Sequence, residues 1–163
     1  MEIRKAEEKD LEALLAIYNY EVENGIATFD LHPRTMEAEK EWFAQHNVGN
    51  HPLYVAEENG VVAGFVSLSS YRPKEAYRTT VELSIYISPQ YRRKGVASQL
   101  MEFILEEARK DPTIHTVVSV ITTENMPSVR LHKKFGFVLC GTVREVGIKF
   151  GRYLDIAQYQ IFV

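Results

Sequence analysis

"TTVELSIYISPQYRRKGVASQL", Thr79–Leu100, changes its period midway. Up to Ile87 apolar and polar residues alternate. Val81, Leu83, Ile85 and Ile87 face one way and Glu82, Ser84 and Tyr86 the other, which predicts a strand. Pro89 closes it. From Val96 the spacing becomes helical, with Val96, Leu100, Phe103, Ile104 and Ala108 on one stripe that predicts a helix to about Lys110. Between the two lie Arg92, Arg93, Lys94 and Gly95. The first N–H groups of a helix have no partners within it and carry partial positive charge. Gly95 and Ala97 lack the bulk that would hold a ligand away from the backbone. A strand, a basic turn and a helix start thus make a candidate anion site, with phosphate the usual guest. Alone, Arg-x-x-Gly-x-Ala reads more readily as a solvated basic turn before a surface helix.

The chain around this stretch is ordinary in composition. Its 163 residues suit one domain, 1–163, and 45% hydrophobic with 25% charged residues is a globular mixture. A net charge of −3 argues against general nucleic-acid binding and makes the basic turn a local feature. No apolar run approaches the ~18 residues of a membrane helix. The charged opening MEIRKAEEKD is unlike a secretory leader. Cys140 is the only cysteine, so no intrachain disulfide forms, and a cytoplasmic location is expected.

Before the stretch, EIRKA predicts a strand and LEALLAIYNYEVEN a helix capped by Asp10 and stopped by Gly25. GIATFDLHP is a loop. RTMEAEKEWFAQH is a second helix with Thr35 as cap, and Asn59-Gly60 joins two strands in a hairpin. RPKEAYR is a polar excursion. After the stretch come a strand, HTVVSVIT, a short helix from near Pro127, and a tail of one or two strands with a turn near Gly151. The order β-α-α-β-β-β-α-β-α-β-β predicts an α/β fold, a mixed sheet with helices on both faces.

The strand–turn–helix unit is followed by TTENMPSVRLHKKFGF. Together they resemble the GNAT superfamily of N-acetyltransferases. Its Gln/Arg-x-x-Gly-x-Gly/Ala loop is matched by Arg92, Gly95 and Ala97. Its Asn-x-x-Ser/Ala…Leu-Tyr-x-Lys-x-Gly-Phe segment is matched by Asn125, Ser128, Leu131, Lys134, Gly136 and Phe137. The resemblance implies a mostly antiparallel central sheet whose fourth and fifth strands splay, with acetyl-CoA as cosubstrate. It implies that Arg93, Lys94, Gly95, Val96, Ala97 and Ser98 hold the pyrophosphate. Ile85, Tyr86 and Ile87 would then meet the pantetheine arm along the strand edge, and Glu124, Asn125 and Ser128 would add contacts. YRPKEAYRTTVELSIYISPQYRRKG and GIKFGRYLDIAQYQ are similar to the phosphinothricin acetyltransferase branch, which includes methionine sulfone and methionine sulfoximine acetyltransferases. One departure is in the tail. Many phosphinothricin enzymes have His-Gly-x-Trp-His-Asp where this chain has Phe150, Gly151, Arg152, Tyr153, Leu154 and Asp155.

Acetyl transfer to an amine needs a base, close placement of the reactants, donors for the developing oxyanion and a proton for the leaving thiolate. The resemblance makes Glu82 the base, where alternation alone reads a solvated glutamate. It makes His132 the acid, in place of a tyrosine common elsewhere; a helix-surface or cofactor-packing histidine is the other reading. A backbone N–H near Ile85 would steady the oxyanion. Ser128 either meets the cofactor or caps the short helix. Arg72, Lys74 and Glu75 suit the oxygens and ammonium of an amino-acid substrate, or form a mobile charged loop. Phe29 borders the substrate pocket or belongs to the core. Cys140 reads as a buried structural cysteine, and no metal-ligand spacing appears. The expected partners are a small amine substrate and a second copy in a homodimer, through a tail with Phe150, Tyr153, Tyr159 and Phe162. A peptide or protein N-acetyltransferase and a non-catalytic acetyl-CoA-binding module are the competing readings.

Overall fold

The computed structural model describes residues 1–163. Its elements are β1 (Glu2–Lys5), α1 (Leu11–Asn24), α2 (Met36–Ala44), β2 (Leu53–Glu58), β3 (Val61–Ser70), β4 (Thr80–Ile87), α3 (Val96–Lys110), β5 (Thr116–Thr122), α4 (Met126–Lys134), β6 (Val138–Lys149) and β7 (Arg152–Phe162). They follow the order read from the sequence. Single 3₁₀ turns at Glu8–Asp10, Glu75–Tyr77 and Pro89–Tyr91, not expected from periodicity, precede α1, β4 and α3.

One seven-stranded sheet runs β1-β2-β3-β4-β5-β7-β6. Every neighbour is antiparallel except β4 and β5, which run parallel. That exception decides the architecture. β4 and β5 pair only at Thr80↔Thr116, Val81↔Val117 and Glu82↔Val118. Beyond Glu82, β4 stays on β3 as far as Ile87, while β5 stays on β7 as far as Thr122. The sheet opens as a fork with Glu82 at its crotch.

Both faces of the sheet are covered. On one, Val96, Leu100, Ile104 and Ala108 of α3 bury against Val81, Leu83 and Val117, joined by Val129 of α4. Each large side chain so buried contributes about 1.5–3 kcal/mol. On the other, Leu14, Ile17 and Val22 of α1 pack on Leu53, Val55 and Phe65. The second face of β4 is therefore not a solvated one. Tyr86 lies there, 5.4 Å from the Phe65 ring and edge-on to Tyr18 at 5.5 Å.

Turn chemistry behaves as read at both hairpins. Asn59 and Gly60 take φ of 50° and 79°, and Phe150 and Gly151 take 52° and 73°, the left-handed pair of a two-residue hairpin. Thr35 caps α2 by accepting the Ala38 N–H. Three readings are corrected. Asp10 does not cap α1. It is buried, and its carboxylate accepts Arg4 at 2.8 and 2.9 Å and the Glu7 N–H at 2.7 Å. Ser128 is not the cap of α4: Asn125 is, its Oδ1 accepting the Ser128 N–H at 3.4 Å. Cys140 is exposed, because β6 is an edge strand and its register skips from Leu139 to Gly141, leaving Cys140 in a bulge.

Candidate active site

The fork exposes backbone on its β4 side. The Ser88 N–H donates to Ala63 O at 2.8 Å, beside the Gly64↔Ile87 pair. Alternation along an antiparallel ladder then gives the backbone groups of Tyr86, Ser84 and Glu82 to β3. Those of Ile85 and Ile87 point into the gap, where β5 no longer pairs. Ile85 and Ile87 therefore leave their backbone groups free at the edge of β4. Tyr86 does not: its backbone serves β3 and its ring fills the α1 face.

Past the 3₁₀ turn, Arg93 and Gly95 both adopt left-handed φ, 60° and 80°. This curls the chain so that successive N–H groups point to one side. From Arg93 through Ser98 no backbone N–H donates within the chain; the first helix bond is Gln99 N–H to Gly95 O at 3.1 Å. A Cβ on Gly95 would meet only Gln99 Nε2, at 3.9 Å, so φ and not crowding by the chain demands glycine there. Lys134 of α4 adds a cation by reaching Ser98 Oγ at 3.2 Å. Arg92 is drawn off to an ion pair with Glu21 of α1. A row of free donors with cations beside it fits the pyrophosphate of coenzyme A.

Glu82 is half-buried and makes no side-chain hydrogen bond within the chain. Burial raises its pKa above the usual carboxylate range. The side chains of Glu82, Val118, Val120 and Thr122 share one face across the fork. Val120 is exposed there, an apolar floor beside the carboxylate that sequence reading passed over. Next to it Gln158 of β7 meets Tyr71 Oη at 3.5 Å, which brings the β3–β4 excursion over the fork.

His132 does not stand as a proton donor. Only 2% exposed, it has both ring nitrogens engaged: Nδ1 donates to Ser128 O at 2.8 Å and Nε2 accepts from Ser119 Oγ at 2.8 Å. Its ring also packs edge-on against Phe137. Burial lowers its pKa. The motif position that the resemblance made catalytic instead turns its ring inward onto β5. Glu124 is exposed and pairs with Arg152 at 2.8 and 2.7 Å, beside a cavity of about 710 Å³ bounded also by Arg144, Glu145, Tyr153 and Asp155. Asn125 keeps its amide N–H groups free of intrachain acceptors while its oxygen caps α4. Ser128 turns its hydroxyl toward His132 at 3.4 Å.

The proposed substrate contacts divide. Arg72 lies over the Tyr71 and Tyr77 rings at 5.2 and 5.9 Å, exposed, with Lys74 and Glu75 unpaired beside it. Phe29 belongs to neither core cluster; its ring rests on Gly147 of β6. Leu154, at the position of the phosphinothricin enzymes' second histidine, is 1% exposed and packs inward. Two polar groups had no sequence signal. His46 is buried, with Nδ1 on Trp42 O at 2.8 Å and Nε2 on Ser69 Oγ at 2.7 Å, and Ser69 stands opposite Glu82. Lys149 is also buried.

Residues 14–137 match the Acetyltransferase (GNAT) family. The L-methionine sulfoximine/L-methionine sulfone acetyltransferase of Salmonella typhimurium is 35% identical over 99% of this chain and 94% of its own. The phosphinothricin N-acetyltransferase of Streptomyces coelicolor is 38% identical over 98% of this chain and 95% of its own. Among solved structures, the ribosomal-protein-alanine N-acetyltransferase of Brucella melitensis superposes with a TM-score of 0.96 at 39% identity, covering all of both chains. A Salmonella typhimurium acetyltransferase with its cofactor acetyl-CoA gives a TM-score of 0.95 at 34% identity, over 99% of this chain and 93% of that one.

Proposed function

Because this chain belongs to the GNAT family of acetyltransferases, which use acetyl-CoA, we propose that it acetylates the α-amine of a small amino-acid-like substrate, with Glu82 as base. The observation that carries the reading is Glu82 itself: a half-buried carboxylate with no intrachain partner, at the last paired position before the fork opens. Bound acetyl-CoA supplies the thioester that the amine attacks. The free N–H row from Arg93 to Ser98 holds its pyrophosphate, with Lys134 adding charge. The N–H of Ile85, turned into the gap, donates to the oxygen that gains charge. Glu82 takes the ammonium proton, and its raised pKa narrows the mismatch with an amine; as the C–S bond breaks, the second proton that the nitrogen sheds on becoming an amide leaves with the sulfur as free thiol. Asn125 offers its free amide donors to the cofactor arm. Arg72 and Lys74, arching over the fork, attract the substrate carboxylate, and Glu75 attracts its ammonium.

The substrate class is carried by the two relatives named for methionine sulfoximine, methionine sulfone and phosphinothricin. A second reading, transfer to a protein N-terminus, is favoured by the likeness to a structure named as a ribosomal-protein-alanine N-acetyltransferase. Release of free thiol from acetyl-CoA is measured with the three amino acids and an alanine-terminated peptide. The small-substrate reading predicts highest kcat/KM for methionine sulfone or sulfoximine; a faster peptide overturns it. We also place the protein in the cytoplasm as a homodimer. No helix is long and apolar enough to cross a membrane, and exposed apolar residues crowd β6 and β7.

A further inference from the structure

On the α3 face a single core spans both arms of the fork, since it joins Val66, Leu68 and Leu83 to Val117, Ile121, Ala157 and Tyr159. On the α1 face the packing stops at β4: the second cluster contains no residue of β5, β6 or β7. The α1–α2 loop, residues 25–35, crosses there instead. Its near side is held by α1, where Tyr18 Oη meets Thr28 Oγ1 at 3.0 Å and donates to Asp30. Asn19 bonds the Arg34 backbone at 2.8 and 3.0 Å. Its far side is held by the other arm. Thr122 Oγ1 of β5 donates to Ile26 O at 2.7 Å. Lys149 Nζ of β6 donates to Thr28 O at 2.8 Å and to Glu21 O, in the last turn of α1, at 3.4 Å.

Phe29 sits between these stitches. A Cβ at Gly147 would lie 2.3 Å from Phe29 Cε2, so the ring rests directly on the β6 backbone. Gly147 and Lys149 are two apart on the strand and so share a face: one seats the ring while the other grips the preceding carbonyl. Thr122 and Glu82 share a face across the fork, with the exposed Val120 between them. The strapped loop thus lies against the face of the fork that also carries Val120 and Glu82. Lys149 is 3% exposed, and burial lowers its pKa although Glu21 and Asp30 oppose this. An apolar side chain of the same length would fill the space without desolvating a cation. What only the amine offers is donors to two carbonyls.

We propose that Lys149 is a positioning residue for the amine-binding pocket, fastening the α1–α2 loop to β6 so that the Phe29 ring is held over Gly147 and limits the size of the substrate side chain. The proposal rests on the amine-acetyltransferase reading above. It is tested with Lys149→Met, Phe29→Ala and the double variant. Three quantities are read: hydrogen exchange of the loop amides, kinetics with methionine sulfone and bulkier amino acids, and acetyl-CoA affinity by calorimetry. Lys149→Met speeds exchange in the loop but not in β2 and β3. It raises the amine KM about tenfold, while kcat and acetyl-CoA affinity move less than about threefold. Phe29→Ala raises KM similarly and relaxes the size limit. The double variant matches Phe29→Ala alone, because Lys149 acts only through the ring. Effects that multiply, or a KM unmoved in a wild-type-active background, overturn the positioning role. If Lys149→Met fails to fold, Thr122→Val, which cuts the stitch to Ile26, is read by the same criteria. Absence of turnover of every amine by the unaltered protein sinks the acetyltransferase reading instead.

Discussion

Three buried or half-buried titratable side chains respond to burial with opposite signs, and each makes a prediction. His46 and His132 share one geometry, Nδ1 donating to the carbonyl four residues back and Nε2 accepting a serine hydroxyl. The neutral ring satisfies every partner, and burial lowers both pKa values; for His46, His51 and Arg34 lower it further. A depressed folded value gives stability that is present above the unfolded value of about 6.5 and lost as pH falls through the folded one. The urea midpoint therefore drops between pH 7 and 5. His132→Gln, which cannot titrate, shows a shallower slope over that window; an unchanged slope would remove His132 as a contributor. Glu82 runs the other way. Its raised value leaves stability that is present below the ordinary carboxylate range and lost as pH rises through the folded value. Glu82→Gln is thus at least as stable as the parent at pH 8. Its kcat falls about 10²–10⁴-fold, the usual contribution of a general base, and acetyl-CoA affinity stays intact. Retained turnover in a folded Glu82→Gln protein would remove the base.

On the proposed reading, acetyl-CoA binding depends most on the loop from Arg93 to Ser98. Gly95→Asp forces a side chain into φ 80° and places a negative charge among the free N–H groups. Its strain costs about 1–2 kcal/mol, too little to unfold a typical domain. Calorimetry should show acetyl-CoA affinity lowered at least about tenfold, with the fold retained by circular dichroism. Equal affinity would remove the phosphate role. This loop was legible from sequence because its signals are local: a change of period, a glycine and cations at a helix start. The four helices and the first five strands were legible for the same reason, and the tail, read as one or two strands, is the two-stranded hairpin β6–β7. What was not legible depends on partners distant in sequence. The Cys140 bulge exists only relative to Leu139↔Tyr159 and Gly141↔Gln158, so its place in an apolar strand read as buried. Asp10 stands where a cap would, but Arg4 of β1 claims its carboxylate. His132 matched a motif position, yet Ser119 of β5 settles where its ring goes. Lys149 and His46 carried no signal because a lone cation or imidazole in a strand or helix looks solvated until its carbonyls are known.

Across the whole molecule, the β6 edge and the turn end of the β6–β7 hairpin carry a group of apolar side chains that nothing covers. Val138, Leu139, Val143, Ile148, Phe150, Tyr153 and Phe162 are each more than 45% exposed, and β6 ends the sheet. A long edge strand with apolar side chains invites pairing with another chain unless something covers it. A second copy of the chain supplies a matching edge, and a two-fold contact makes each residue count twice. Burying a handful of such side chains, at about 1.5–3 kcal/mol each when complete, offsets the several kcal/mol that association costs. Light scattering at micromolar concentration should therefore give twice the chain mass. Ile148→Lys with Tyr153→Lys puts cations on both strands of the hairpin and should give a monomer. Lys149 lies next to Ile148 but faces the α1–α2 loop, so the monomer should keep its acetyl-CoA affinity while loop amides exchange faster if the edge also steadies the strap. A single-chain mass for the unaltered protein would rule out the homodimer, and the exposed edge would then need a different partner.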